Sequence, residues 1–297
     1  MADTAGPARR ATLGALLRDT VAFLKREGIE DPAVDARLLV ESLTGTTRRD
    51  SIGDPDRAID DSVVDQVWRA VRRRAAGEPP HRILGAREFY GLRLELSADT
   101  LEPRPDTEAL VDLLLPVARD IAAAGGECRL LDLGTGTGAI ALALLAEVPQ
   151  LRATVTDISG HALATALANA RSLGLADRLT AIESDWFGAV DGSFEIIVSN
   201  PPYIPSGDIA GLDAEVRLFD PRRALDGGVD GLDAYRSIAA GAGAHLAENG
   251  FVALEIGAGQ RTAVETIFEA DGYFLVAVRR DLAGRDRALL LARQRPA

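Results

Sequence analysis

The sequence predicts an α/β protein in which a small N-terminal helical bundle precedes a doubly wound, seven-stranded, mostly parallel sheet. Three observations carry that expectation. Up to Leu84 the apolar residues recur only at helical spacing. From Cys128 onward, short apolar runs alternate with helical segments. The first of those runs passes through a glycine-rich loop straight into a helix, as a crossover connection requires.

The elements follow in order. Leu13, Leu17, Val21 and Leu24 share one helical face. Asp31-Pro32 reads as a helix start, with an acceptor at the cap and a proline whose missing N–H costs nothing there. Val34, Leu38 and Leu39 continue the stripe, and Val64, Val67, Trp68 and Val71 supply another before Gly77-Glu78-Pro79-Pro80 ends it. Three or four short helices are expected, enough to bury a small core. In residues 86–101 the period changes: Leu92, Leu94 and Leu96 alternate with Arg93 and Glu95, and Tyr90-Gly91 marks a turn, so this is a hairpin. Pro103-Arg104-Pro105-Asp106-Thr107-Glu108 then leads into a helix from about Ala109, with Asp106 or Thr107 as its cap. Seven strand-like runs follow: CRLLDL, RATVTD, RLTAIE, FEIIVSN, GFVALEI, YFLVAV and RALLLAR. The expected organisation is a helical domain over 1–84, a hairpin linker over 85–105 and an α/β domain over 106–297.

Composition narrows the class. The chain has 297 residues with 47% hydrophobic side chains, ample for a core. One cysteine, Cys128, forbids an internal disulfide and fits a reducing compartment. His81, His161 and His245 show no ligand spacing with it, so no metal site is expected. MADTAGPARRATLGALL lacks the apolar core of a signal peptide, and no run approaches the ~20 residues that span a bilayer. A soluble, cytoplasmic monomer is the expectation. Acidic residues outnumber basic ones 45 to 33, a net charge of −12 that disfavours a nucleic-acid backbone as partner. The one dense basic cluster, Arg69, Arg72, Arg73 and Arg74, is either a solvated helix face or a docking patch.

The first strand runs into Gly134-Thr135-Gly136-Thr137-Gly138. Glycines there let the chain turn sharply and let a ligand approach backbone. The spacing differs from the G-x-G-x-x-G of pyrophosphate binders, and Asp157, closing the second strand, is placed to accept from both hydroxyls of a ribose. Together they suit S-adenosyl-L-methionine, which carries no phosphate. Two plainer readings stand beside this: a simple tight turn, and an Asp157 that caps the helix at Ser159. After the third strand, Asp185 and Trp186 border the same crevice, suited to the amino group and the face of an adenine. Trp186 also reads as core filling.

The fourth strand delivers Asn200-Pro201-Pro202-Tyr203. Neither proline has a backbone N–H, so two carbonyls and the Asn200 side-chain oxygen form an acceptor-rich edge. That edge suits a planar –NH₂ group with two hydrogens to hold, and Tyr203 would pack against it. An amide nitrogen is a weak nucleophile because its lone pair is delocalised. Fixing both N–H groups raises its electron density and aims it at a methyl donor. A proline-rich turn with no ligand is the alternative.

Longer stretches then match a known pattern: GEPPHRILGAREFYG at 77–91, EPRPDTE at 102–108, DLGTGTGAIAL at 132–142, SDWF at 184–187, SNPPYI at 199–204 and EVRLFDPRRALDGGVDGLDAYRSI at 215–238. The chain resembles the release factor glutamine methyltransferase family, also called PrmC or HemK. NPPY alone is shared with other amino methyltransferases; the PRPDTE and DPRRAL segments are more specific. The resemblance implies a Rossmann-like class I methyltransferase fold and transfer of a methyl from S-adenosyl-L-methionine, with S-adenosyl-L-homocysteine as product. The acceptor it implies is N5 of the glutamine in the Gly-Gly-Gln loop of bacterial peptide-chain release factors. It implies that Gly134, Thr135, Gly136, Thr137, Gly138, Asp157, Asp185, Trp186 and Asn200 contact the cofactor. Asn200, Pro201, Pro202 and Tyr203 would hold the glutamine, with Asn200, Pro201 and Tyr203 as the catalytic set, and the helical domain would help dock the release factor. Glu102 stands where many relatives have an apolar residue. Two rival functions remain: an adenine or guanine amino N-methyltransferase, which needs base flipping and a basic channel, and a non-catalytic cofactor-binding module.

Overall fold

The apolar stripes of the N-terminal part fold as helices in the computed structural model, which describes residues 11–125 and 127–293. The expectation about a signal peptide rests largely on residues 1–10, outside the described residues. The chain forms two units, one ending at Gly85 and the other beginning at Ala86.

In the first unit, α1 (Leu13–Arg26) starts at Thr12, whose hydroxyl accepts from the Ala15 N–H. It buries Leu13, Leu16 and Leu24, with Leu17 and Val21 at the margin. The second helix, α2 (Pro32–Thr44), has proline in its first turn, but the Asp31 side chain makes no capping bond. Val34 is 50% exposed, so the buried stripe runs through Ala36, Leu39 and Val40 instead. Helices α3 (Arg48–Gly53) and α5 (Pro80–Leu84) flank α4 (Asp61–Ala75). Among the described residues that makes five helices where three or four were expected, because α3 and α5 are too short to show a periodic stripe. The basic cluster is not one surface. Arg74 is buried and paired to Asp35 of α2 at 2.5 Å, and Arg73 pairs with Glu78, while Arg69 and Arg72 are exposed. Guanidinium–carboxylate pairing is what allows Arg74 to lie inside.

The second unit opens with the expected hairpin, β1 (Ala86–Phe89) against β2 (Leu92–Glu95). Tyr90 and Gly91 both take positive φ, 51° and 74°, the turn whose twist matches paired strands. Phe89 and Leu94 enter the core of this unit beneath α6 (Glu108–Ala123), so the hairpin is packed rather than free.

The main sheet contains β3 (Cys128–Leu133), β4 (Leu151–Asp157), β5 (Leu179–Glu183), β6 (Phe194–Ser199), β7 (Leu246–Glu255), β8 (Tyr273–Arg280) and β9 (Asp286–Arg293). Its spatial order is β5-β4-β3-β6-β7-β9-β8, parallel except for β9. Helices α7 (Ala139–Glu147), α8 (Gly160–Ser172), α9 (Ala214–Phe219), α10 (Asp233–His245) and α11 (Arg261–Ala270) complete the unit. Every residue of α7 from Ala139 to Leu145 is buried, which explains its lack of amphipathic pattern. The strand order reverses between β3 and β6, and a crevice opens there at the carboxyl ends of the strands. Ser199, the last residue of β6, donates its hydroxyl to the Leu133 carbonyl at 2.8 Å, tying the two strand ends together. Among the described residues no helix is long and apolar enough to cross a membrane.

Candidate active site

At the end of β3, Gly134 and Gly136 take φ of +68° and +56°, with no atom within 4 Å of where a Cβ would stand. The loop therefore leaves an open cradle. It is fixed from below: Thr135 donates to the buried Asp132 carboxylate at 2.7 Å, and its N–H donates to the Thr156 carbonyl at 2.9 Å. Burial pushes Asp132 up to about 7, against hydrogen bonds from Thr135 and the Ala141 N–H. Asp157 accepts from the Gly136 N–H at 3.0 Å and the Ser159 N–H at 2.9 Å. Each oxygen keeps lone-pair capacity toward the crevice. Burial raises its pKa, opposed by those two N–H groups and by the Arg223 charge. Ser159 caps α8 with its own hydroxyl, so Asp157 is not the cap.

Gly134, Thr135, Gly136 and Asp157 line a cavity of about 300 Å³ together with Asp185, Trp186 and Asn200. Trp186 serves both readings: it lines the cavity and packs partly against the core, with a positive φ of 49° that is strained for so large a residue. Two arginines reach this cavity, and both are paired, Arg223 with Asp99 at 3.3 Å and Arg104 with Asp220 at 2.5 Å. Open glycine backbone, a carboxylate at the second strand end and neutralised cations fit a phosphate-free nucleoside cofactor such as S-adenosyl-L-methionine.

A second cavity of about 320 Å³ adjoins the first, with Arg104 and Asn200 lining both. Its other walls include Tyr203, Leu212, Val216 and Glu255. Burial pushes the Tyr203 hydroxyl up to about 12, keeping it neutral. The backbone of the NPPY segment is held by residues far away in sequence. Gln260 donates to the Tyr203 carbonyl at 2.9 Å. Gly227 and Gly231 pack directly onto it: a Cβ on Gly227 would stand 2.8 Å from the Pro202 carbonyl, and one on Gly231 would stand 2.5 Å from that of Tyr203. The DGGVDG segment is thus glycine-rich because another backbone lies against it.

Of the residues singled out in the sequence, Gly134, Thr135, Gly136, Thr137, Asp157, Asp185, Trp186, Asn200 and Pro202 line the first cavity, and Asn200 and Tyr203 line the second. Gly138 lines neither; it faces Leu142 and Ala166, where a Cβ would sit 3.0 and 3.2 Å from side-chain carbons. Pro201 is buried and also lines neither. Thr107 stands at the cap position of α6 but makes no side-chain capping bond; its hydroxyl accepts from the Asn200 amide at 3.2 Å. Glu102 is buried because Arg87 of β1 pairs with it and Asp220 accepts from its N–H. Sequence reading missed Arg104, Arg223, Glu255 and Gln260.

The family described as PrmC N-terminal domain matches residues 15–85, and the methyltransferase small domain matches residues 111–220. A release factor glutamine methyltransferase of Agrobacterium fabrum is 50% identical, over 95% of this chain and 98% of its own. Another, from Rhodospirillum rubrum, is 47% identical over 95% and 85%. Among solved structures, the hMettl16 catalytic domain in complex with MAT2A 3'UTR hairpin 6 has a TM-score of 0.50 at 14% identity, covering 78% of this chain and 81% of that one, a likeness of fold alone.

Proposed function

The chain belongs to the release factor glutamine methyltransferase family, and on that premise we propose that it methylates N5 of the glutamine in the Gly-Gly-Gln loop of bacterial release factors, in the cytoplasm. The observation that carries the reading is the pair of adjoining cavities that share Asn200. When bound, S-adenosyl-L-methionine supplies a methyl on a sulfonium centre and leaves as S-adenosyl-L-homocysteine.

The protein's part is binding and alignment. Gly134 and Gly136 admit the cofactor against bare backbone, Asp157 accepts from its ribose hydroxyls, and Asp185 and Trp186 border its adenine. The Asn200 side-chain oxygen and the Pro201 carbonyl accept the two hydrogens of the acceptor nitrogen, and the Tyr203 ring lies against the flat amide. Holding both N–H bonds concentrates the lone pair and fixes its direction, so proximity lowers the barrier. No strong base is required before attack, since the nitrogen becomes acidic as the methyl arrives. The helical first unit would contribute to release-factor docking.

Labelled cofactor incubated with a purified release factor, with the same factor carrying alanine in place of the loop glutamine, and with adenine-containing oligonucleotides tests this directly. Label in the first alone is expected. Label in the oligonucleotides and none in the release factor would replace this reading with the nucleic-acid one.

A further inference from the structure

The segment Asn200-Pro201-Pro202-Tyr203 is hard to anchor by its own backbone. Neither proline has an N–H, so hydrogen bonds can hold the Pro-Pro stretch only through carbonyls. The Pro201 carbonyl is assigned above to the acceptor nitrogen, and the Pro202 carbonyl packs against Gly227. The next carbonyl is that of Tyr203, and Gln260 donates to it at 2.9 Å.

Gln260 stands at the cap position of α11, yet its side chain makes no capping bond. The amide instead joins separate chain segments. Nε2 donates to the Tyr203 carbonyl and, at 3.3 Å, to the Gly231 carbonyl. Oε1 accepts from the Gly257 N–H at 2.9 Å, with the Tyr235 hydroxyl of α10 at 3.5 Å. Only one orientation serves: the two carbonyls can only accept, so a flipped amide would set its oxygen against both.

The space around this amide is shaped for it. A Cβ on Gly231 would stand 2.9 Å from Nε2. One on Gly257 would stand 2.6 Å from Oε1 and 3.0 Å from Cδ2 of the Tyr203 ring. Bare backbone at Gly257 thus lets the amide and the ring lie side by side. At its far end the ring is held through its hydroxyl, which donates to Glu255 Oε1 at 3.5 Å. Gln260 itself lines neither cavity, whereas Tyr203 lines the second. Taking the acceptor to be the glutamine amide, as proposed above, we infer that Gln260 is a positioning residue for methyl transfer. It fixes the Tyr203 main chain and, through it, the ring that walls the acceptor cavity.

Without Gln260 the chain is still tied one residue later. Ile204 donates to the Leu225 carbonyl at 3.0 Å and accepts from the Gly227 N–H at 2.9 Å. The ring is therefore displaced rather than lost, and alignment suffers while the cofactor side is untouched.

The test uses the full-length enzyme, S-adenosyl-L-methionine and a purified release factor at pH 8. Gln260→Met fills the slot but loses both donors and the oxygen. Gln260→Glu keeps the acceptor for Gly257 and loses both donors. Each is expected to lower kcat about 10–100-fold with cofactor KM unchanged, as a small misplacement at a reacting centre does. Loss in Gln260→Met alone would place the effect on the Gly257 side and overturn the inference. Should Gln260→Met fail to fold, Gln260→Glu decides alone. A double-mutant cycle separates positioning of Tyr203 from general support of the fold. In a Tyr203→Ala background, Gln260→Glu should lower kcat by less than about twofold, because the ring it positions is gone. A full second loss there overturns the inference. Fluorotyrosine NMR gives a readout free of activity. The Tyr203 signal, assigned by its loss in Tyr203→Phe, should shift and broaden in Gln260→Glu while those of Tyr90 and Tyr273 stay in place. Should wild type prove inactive on glutamine, the proposed function fails. The spectrum then decides whether Gln260 holds Tyr203, and an unmoved Tyr203 signal overturns it.

Discussion

The two cavities that meet at Asn200 are built on different plans. On the proposed cofactor side, the loop from Gly134 to Thr137 and the segments ending β4 and β5 supply much of the lining, joined by residues between Asp99 and Thr107 and by Arg223 and Ala224. The acceptor side gathers Tyr203 and Glu255, with Gly231 and Gln260 against the Tyr203 backbone, from separate elements and ties them through polar contacts and close packing. The first plan tolerates local change, because each piece is positioned by its own strand. In the second, each group is held by another, so a loss at one point spreads.

Substitutions on either side should separate these plans. The largest effect is expected for Asn200→Ala: kcat falls by about 10²–10³-fold while calorimetry shows cofactor affinity largely kept. Equal losses in both would erase the division. Asp157→Ala gives the mirror image, a cofactor affinity weaker by about 10–100-fold for a lost charged hydrogen-bond acceptor, with kcat at saturating cofactor close to wild type. Gly231→Ala places a methyl 2.5 Å from the Tyr203 carbonyl at a backbone φ of +75°. It should cost about 1–3 kcal/mol by overpacking, seen as a lower Tm, and should lower kcat more than cofactor affinity.

The smallest effect concerns stability and pH. Glu255 and Asp132 are both raised to about 7 in the fold, from ordinary values of 4.5 and 3.8. A raised carboxylate contributes stability that is full below its unfolded pKa and is lost as pH rises through its folded one. Between pH 4 and 7, then, both groups subtract stability as they ionise. Glu255→Gln removes one such cost and is expected to raise Tm by roughly 2–4 °C per kcal/mol gained at pH 8, with little change at pH 4. A lower Tm at pH 8 would make Glu255 a structural prop.

This contrast also explains what the sequence made visible. The central strands, buried on both faces, read as continuous apolar runs, while the half-exposed edge strands β5 and β8 were legible as short apolar runs between helical segments. The glycine loop was legible because its motif is contiguous and sits between a strand and a helix. Of the two caps offered, Asp106 and Thr107, Thr107 does hold the cap position, but its hydroxyl turns to Asn200 instead of its own backbone, and in sequence the two cases look the same. Glu255 did leave a signal: a carboxylate ends the apolar run FVALE, as Asp157 ends TVTD. Gln260 and Arg223 left none, because what matters for them is a partner distant in sequence. Glu102 looked anomalous until Arg87 supplied its counter-charge.

The central claim is that the Asn200 edge presents an amide nitrogen, and tandem mass spectrometry tests it most directly. A release factor is incubated with the enzyme and S-adenosyl-L-methionine, digested, and fragmented across the Gly-Gly-Gln loop. The account predicts one added methyl on the glutamine side-chain nitrogen, absent with Asn200→Ala. A methyl on any other residue, or an unmodified loop beside a methylated nucleic acid, would contradict it.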